Sequence, residues 1–205
     1  IYKDFGFNNV IKIPLGFDSK HFKIDLAIRK NIKLQYDFKG ITIAYFGRFV
    51  YEKGIHILIN LLSALKEFEW ILVMDEFKDY KTNYITDIKS SINSNSLQSR
   101  VKFINPNHKE IGQFINAIDK VIVPSLSTNT WVKQYGRIIP EALACGKLII
   151  ASNSGAILML FNNHGILFKE GDTNGLTKIL KNIFINNKFI SNFNEFDLSD
   201  YAYKK

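Results

Sequence analysis

A regular alternation of short apolar runs with longer amphipathic segments constrains the fold of this chain more than any other feature. Runs without polar alternation are typical of strands buried on both faces, which occur in parallel sheets covered by helices. The apolar runs occupy residues 41–46, 70–74, 101–104, 121–123, 148–150 and 165–168. The pattern therefore predicts an α/β fold: a doubly wound Rossmann-like domain with a six-stranded parallel sheet and helices on both faces.

The segments between these runs carry apolar residues at helical spacing, as Ile55, Leu58 and Leu62 do. Helices are predicted over residues 55–65, 80–95, 111–118, 154–161 and 172–184, besides one near residue 140. The first part of the chain lacks this pattern. It offers a short strand at residues 10–13, and residues 19–39 are predicted as a connecting segment. We therefore divide the chain into a linker, residues 1–39, and a domain, residues 40–205.

Charge and cysteine content restrict the partners and the compartment. Lysine and arginine outnumber aspartate and glutamate by 27 to 19, and the net charge of +8 favours phosphate-bearing ligands. No nucleic-acid-binding motif accompanies this excess, so we expect no nucleic-acid partner. The single Cys145, the lack of a long apolar run and the lack of a leader predict a cytoplasmic protein. The first residue, Ile1, indicates a piece of something longer.

A loop, a short helix and a buried strand follow one another over residues 130–151. Pro140 marks the first turn of the helix, where the missing N–H is not needed. The helix should begin between Gly136 and residue 139, carry Glu141 in its first or second turn, and end at Gly146 in the left-handed conformation. The free N–H groups at such a helix start attract anions, although the helix could equally be one more cover on the sheet.

A loop bounded by glycines leaves the first strand. It reads Gly47-Arg48-Phe49-Val50-Tyr51-Glu52-Lys53-Gly54. In a doubly wound sheet, ligands bind at the carboxyl ends of the strands. Gly47 allows the backbone to approach a ligand closely, Arg48 offers a planar fork of donors, and Lys53 offers a point charge. The loop therefore suits a diphosphate, unless both cations simply point into water.

These two stretches resemble the signatures of the retaining, nucleotide-sugar-dependent glycosyltransferases of group 1, which have the GT-B fold. The resemblance runs over most of the chain, from about Val10 to Phe196. It rests on the loop at residues 47–54, on Pro124-Ser125, on Trp131, and on residues 133–137 and 141–146.

The resemblance implies a role for each matching position. Arg48 and Lys53 would hold the donor diphosphate and stabilise its charge as it leaves, and Glu141 would accept hydrogen bonds from both ribose hydroxyls. These three are the predicted catalytic residues. The other predicted donor-binding residues are Gly47, Lys133, Gln134, Tyr135, Gly136, Arg137, Ile138, Asn105, Pro106 and Ser125.

No cofactor and no metal are expected besides the donor, because the two cations and the helix start take the place of a metal. The histidines agree with this expectation, since none has metal-ligand spacing to another or to Cys145. We interpret all four as surface or packing residues: His21, His56, His108 and His164.

Lys133 departs from the family, which has glutamate at this position in contact with the donor sugar. Lysine offers only donors, and its charge would disfavour a sugar carbon that becomes cationic. Three interpretations stay open. The domain is a weakened or inactive relative, Gln134 takes over the role after a small shift, or the donor sugar carries a carboxylate, as a uronic acid does.

The resemblance covers only the C-terminal, donor-binding half of a GT-B enzyme. It implies an N-terminal domain of the same protein as partner, a nucleotide sugar (UDP or GDP) as donor, and an acceptor in polysaccharide or glycolipid synthesis. Peripheral association with the inner membrane face is an option. We expect no turnover from this chain alone. The alternatives are a degenerate, non-catalytic sugar-nucleotide-binding module and another GT-B enzyme, such as a sugar-nucleotide epimerase.

Overall fold

The computed structural model describes residues 6, 16–76, 82–128, 136–157 and 165–186. The helices are α1 Leu26–Gln35, α2 Ile55–Ala64, α3 Asn83–Ser94, α4 Ile111–Ala117, α5 Ile138–Ala144 and α6 Thr173–Asn186. The strands are β1 Ile41–Tyr45, β2 Trp70–Asp75, β3 Val101–Ile104, β4 Lys120–Val123, β5 Leu148–Ser152 and β6 Gly165–Phe168. No described helix is long and apolar enough to cross a membrane.

The six strands form one parallel sheet in the order β3-β2-β1-β4-β5-β6. This order confirms the predicted doubly wound, Rossmann-like α/β fold, in which the chain runs outwards in both directions from the middle of the sheet. The two central strands are paired over the shortest stretch. Between β1 and β4 only Ile43↔Lys120 and Ala44↔Val121 are in register, whereas β1 and β2 are in register from Ile41↔Trp70 to Tyr45↔Met74.

The core consists of two apolar layers, one on each face of the sheet. Successive strand residues point to opposite faces, so Ile43 packs into one layer and Ala44 into the other. The first layer is closed by α2, α3 and α6, and the second by α1, α4 and α5. The four inner strands, β1, β2, β4 and β5, are nearly fully buried because both of their faces are covered, and this explains their near-continuous apolar sequence.

Helix α1 is a correction, because residues 19–39 were predicted as a connecting segment. The Asp25 side chain caps the helix by accepting a hydrogen bond from the Ile28 N–H at 2.9 Å. Ile32 is buried, and the Tyr36 ring meets that of Phe114 on α4 edge-on at 5.0 Å. The helix was missed because its apolar face is narrow and much of its attachment is polar. The division at residue 39 stays a prediction.

The remaining sequence predictions differ from the structure mostly at element ends. The helix predicted over residues 80–95 starts at Asn83, where the hydroxyl of Thr82 accepts a hydrogen bond from the Ile85 N–H at 3.3 Å. The strand at residues 10–13, the start of that helix at residues 80–81 and the body of the helix at 154–161 lie outside the described residues.

Candidate functional site

A cleft of about 450 Å³ opens at the carboxyl ends of β1, β2 and β4. The loop after β1 contributes Arg48 and Lys53, and α5, which follows β4 in the chain, contributes Glu141. Three side chains from distant parts of the sequence therefore share one depression. The complete lining is Tyr45, Phe46, Gly47, Arg48, Phe49, Lys53, Asp75, Glu76, His108, Ile111, Val123, Gly136, Arg137, Ile138 and Glu141.

The start of the loop after β1 is fixed by its neighbours in the sheet. Gly47 has a φ of +152°, which is a region that residues with a Cβ rarely adopt, and its N–H donates to the Asp75 carboxylate at 3.3 Å. A Cβ on Gly47 would lie 2.9 Å from the Tyr45 hydroxyl. That hydroxyl donates to the Arg48 carbonyl oxygen at 2.8 Å. The backbone that carries Arg48 is thus held by β1 and β2.

The end of the same loop is attached to β4. After a 3₁₀ turn at Tyr51–Lys53, the backbone turns into α2 at Gly54, and the Leu126 N–H donates to the Glu52 carbonyl oxygen at 2.8 Å. This bond places Lys53 beside the end of β4. The loop therefore spans the two central strands of the sheet.

Two cations meet in this cleft. Arg48 is exposed, whereas Lys53 is half-buried. Burial lowers the pKa of Lys53, and the positive charge of Arg48 lowers it further. Both effects disfavour the ammonium form, and a bound anion would offset both. The arrangement consequently favours a multiply charged anion such as a diphosphate.

Glu141 is a buried carboxylate in the first turn of α5, with 8% of its surface exposed. Burial raises its pKa to about 7, and the opposing charge of Arg137 lowers the pKa only in part. Within the described part of the chain, its carboxylate accepts no hydrogen bond from a side chain or a backbone N–H. Such a group can accept hydrogen bonds from a ligand, for example from neighbouring hydroxyls.

The local sequence explains why Glu141 points into the cleft. Pro140 is buried in the first turn of α5, and Gly146, which follows the C-cap Cys145, has a φ of +67°, so the predicted helix start and left-handed end are confirmed. The helix has only seven residues. Glu141 therefore stays close to the carboxyl end of β4, the strand that precedes α5 in the chain.

The structure places the other predicted site residues in three groups. Gly136, Arg137 and Ile138 line the cleft. Lys133, Gln134 and Tyr135, together with Trp131, lie outside the described residues. Asn105, Pro106 and Ser125 are not among the residues that line the cleft.

The residues of the last group differ in their burial and contacts. Asn105 is exposed and Pro106 is buried. Ser125 is 1% exposed, and its carbonyl oxygen accepts a hydrogen bond from the Ser152 hydroxyl at 2.6 Å. The geometry of the described cleft gives no support to a role of these three in donor binding.

Four polar residues of the cleft were not among the predicted site residues. Tyr45 was read only as a strand residue, and His108 only as a surface or packing residue. Asp75 and Glu76 directly follow β2, so their position at a strand end was the available signal. In the described ranges, no three His, Cys, Asp or Glu side chains come together as a metal-binding group.

Sequence comparisons relate this chain to a known family. Residues 29–197 match the profile of the glycosyl transferases group 1 family. A glycogen synthase from Mycoplasma mobile is 30% identical over an alignment of 178 residues that covers 80% of this chain and 35% of that protein. An uncharacterized 42.6 kDa protein in the cps region of Klebsiella pneumoniae is 23% identical over 76% of this chain and 39% of its own length. The chain thus spans little more than a third of these curated relatives.

Solved structures show the same fold. Anabaena HepE in complex with UDP superposes with a TM-score of 0.75 at 24% identity, over 85% of this chain and 48% of HepE. The C-terminal domain of the Francisella tularensis group 1 glycosyl transferase LpcC has a TM-score of 0.71 at 20% identity, over 91% of this chain and 95% of that domain. The second match agrees with the prediction of a C-terminal half. The chain belongs to the glycosyl transferases of group 1.

Proposed function

We propose that this chain is the donor-binding domain of a glycosyltransferase that takes a sugar from a nucleoside diphosphate, with UDP as the first candidate. The observation that carries the proposal is that Arg48, Lys53 and Glu141 line one cleft at the carboxyl ends of the central strands. UDP is the first candidate because the structurally similar HepE was solved with UDP and with UDP and glucose.

The two cations act on the diphosphate. When the bond between the sugar carbon and the diphosphate breaks, negative charge develops on the leaving oxygen. In this proposal Arg48 and Lys53 stabilise that charge, and removal of one such contact costs about 2.7–4 kcal/mol of transition-state stabilisation in other enzymes. Because two side-chain cations supply the positive charge, the proposed reaction needs no metal ion.

Glu141 binds the nucleoside. Two vicinal ribose hydroxyls would donate to its carboxylate, and these hydrogen bonds favour the ionised form that burial now opposes. The nucleoside is thereby fixed on the β4 side of the cleft while the diphosphate lies on the β1 side. This orientation directs the donor sugar out of the cleft towards an acceptor.

The acceptor side belongs to the rest of the proposal. We infer that an N-terminal domain of the same protein brings the acceptor, that the configuration at the sugar carbon is retained, and that the product is a polysaccharide or glycolipid. We further propose a cytoplasmic location, with peripheral attachment to the inner membrane face as an extension.

Calorimetric titration with UDP and with uridine tests the site assignment. Arg48→Ala and Lys53→Ala should each weaken UDP binding about tenfold or more, since a hydrogen bond to a charged group contributes about 1.5–3 kcal/mol. Uridine binding should not change, because uridine lacks the diphosphate. Lys66→Ala is the matched control, as Lys66 is exposed and does not line the cleft. Equal UDP affinities in all four proteins would remove the assignment.

A second candidate is a degenerate module that binds nucleotide sugars without transferring them. Lys133 favours it, because this residue stands where the resembled enzymes have the glutamate that contacts the donor sugar. Activity that appears only in a Lys133→Glu variant of the full protein would establish this candidate. Preferential use of a UDP-uronate by the unaltered protein would instead show that Lys133 pairs with a sugar carboxylate.

A further inference from the structure

A second pocket, of about 260 Å³, lies at the opposite edge of the sheet, where β4 and β5 begin. Its polar lining comes from Arg29 on α1, from Asn116 and Asp119 before β4, and from Lys120 and Lys147 at the strand starts. None of these residues lines the cleft described above. Nothing in the proposed function uses this pocket.

The pocket is strongly positive. Arg29, Lys120 and Lys147 are cationic, and Asp119 is the carboxylate among the lining residues. That carboxylate is already engaged, because it accepts hydrogen bonds from Arg29, from Lys33 at 3.3 Å and from the Thr42 N–H at 2.8 Å. Asp119 is therefore hydrogen-bonded to the two α1 cations, and its charge acts on the two lysines only through space.

Lys120 is the anomaly in this pocket, since only 1% of its surface is exposed. Lys147 donates to the Asn116 carbonyl oxygen at 2.8 Å, whereas the Lys120 ammonium forms no hydrogen bond or ion pair with any described residue. Such burial disfavours the ammonium form, and the charge of Asp119 offsets this penalty only in part. Burial lowers the pKa of both lysines, that of Lys147 to about 8, so both would gain from a nearby anion.

We propose that this pocket binds a phosphate group, with the ammonium groups of Lys120 and Lys147 as donors and Arg29 as a further positive charge. A volume of 260 Å³ has room for a phosphate and some waters, since a water in the liquid occupies about 30 Å³. Two lysines offer flexible donors to tetrahedral oxygens, and Arg29 is held in place by its bonds to the Asn116 and Ile118 carbonyl oxygens. Free phosphate and a small phosphate monoester share this chemistry.

Titration of the full protein with inorganic phosphate and with glycerol phosphate tests the proposal. Both calorimetry and the thermal shift should detect binding to the unaltered protein. Lys120→Met should weaken binding about tenfold or more, which corresponds to one charge-assisted hydrogen bond. This variant should fold at least as well as the parent, since it replaces a buried charge by an apolar chain of similar length. Lys66→Met, the same change at an exposed position, should have no effect.

The Arg48→Ala variant separates this pocket from the cleft. Phosphate binding that survives in Arg48→Ala and is lost in Lys120→Met supports the proposal, and the stronger of the two ligands shows whether the source is free phosphate or a monoester. The proposal is overturned if neither ligand binds, if Lys120→Met binds as the parent does, or if Arg48→Ala alone abolishes binding. UDP binding to Lys120→Met should be unchanged, so failure here would leave the proposed function untouched.

Discussion

The α-carbon of Gly54 lies against the carbonyl oxygen of Pro124, so closely that a Cβ built on Gly54 would be 2.0 Å from that oxygen. The φ of Gly54 is +69°, which also favours glycine. The contact joins the loop after β1 to the end of β4. Lys53, the residue before Gly54, is thereby held beside the end of β4.

Gly54→Ala should therefore destabilise the protein by more than backbone strain alone. A side chain in the left-handed region costs about 1–2 kcal/mol, and forcing a Cβ against fixed backbone adds about 1–3 kcal/mol. Gly171→Ala is the matched control, because Gly171 has a φ of +73° and nothing within 4 Å of its Cβ position. Denaturant unfolding measures both variants. Equal losses of stability would show that the backbone at Pro124 moves away from the added Cβ without a measurable loss of stability.

Tyr45→Phe should reduce nucleotide affinity without altering any residue that is proposed to touch the diphosphate. The Tyr45 hydroxyl donates to the Arg48 carbonyl oxygen, and its removal should cost about 1 kcal/mol of stability and release the backbone that carries Arg48. Tyr84→Phe removes a hydroxyl that accepts from the His56 backbone N–H at 3.1 Å, and Tyr84 is not among the residues that line the cleft. Calorimetric titration with UDP should therefore separate the two variants, whereas equal affinities would contradict a positioning role for Tyr45.

Glu141 should make both stability and nucleotide binding depend on pH. Its pKa is about 7 in the folded chain against an ordinary value of 4.5, so the folded state holds the extra proton between these values. Stability should consequently fall as the pH rises from about 4.5 to about 7, by about 3 kcal/mol in total. The Glu141→Gln variant should lack this fall, and unfolding curves from pH 4 to 8 measure the difference.

Nucleotide binding should follow the opposite trend. Ribose hydroxyls bind the ionised carboxylate, so UDP affinity should rise between pH 6 and 8 and level off above the pKa of Glu141. In Glu141→Gln the affinity should be lower and should lack this rise. A rise of the same size in the variant would assign the pH dependence to another group.

Sequence patterns anticipated the elements but not the contacts between them. The bounds of β3 and β6 match the predicted residues, because each run is mostly apolar and is followed by a polar residue, Asn105 or Lys169. The approach of Gly54 to Pro124 joins positions far apart in the chain, and no local pattern encodes it. The sequence identified Tyr45 only as an aromatic strand residue. Its hydrogen bond to the Arg48 carbonyl oxygen depends on the path of the loop after β1, which the sequence pattern does not give.

Helix α1 is an element that the sequence patterns did not predict. It is attached largely through polar bonds to a distant residue, Asp119, and apolar periodicity does not register such bonds. The signals that did exist were the N-cap Asp25 and the buried Ile32 one turn after Ile28. Both are short-range features that weigh little in a charged segment.

The ion-paired Asp119 should be the acid-sensitive point of this helix. Burial would raise its pKa, but the Thr42 N–H, Lys33 and Arg29 outweigh burial and lower it below 3.8. Its stabilising effect is therefore present above about pH 4 and is lost as the pH falls through the lowered pKa.

Asp119→Asn should cost about 3 kcal/mol, the lower end for a buried pair, because the side chain keeps 17% exposure. Asp37→Asn is the matched control: this carboxylate pairs with Lys39 at 3.1 Å on the surface and should contribute less than about 1 kcal/mol. Unfolding of both variants at pH 7 measures the difference. Losses of similar size would mean that α1 docks through its apolar face alone.

The short register between β1 and β4 would give a bound nucleotide a mechanical role. These two strands join the halves of the sheet over little more than Ile43↔Lys120 and Ala44↔Val121. A molecule that binds Arg48 on one half and Glu141 on the other would bridge the two halves of the sheet. Ligand binding and the stability of the β1–β4 pairing would then be linked, because a ligand that binds only when the two strands are paired also stabilises their pairing. The amide hydrogens of Ala44 and Val121 would exchange more slowly in the bound protein, far beyond the atoms that the ligand touches.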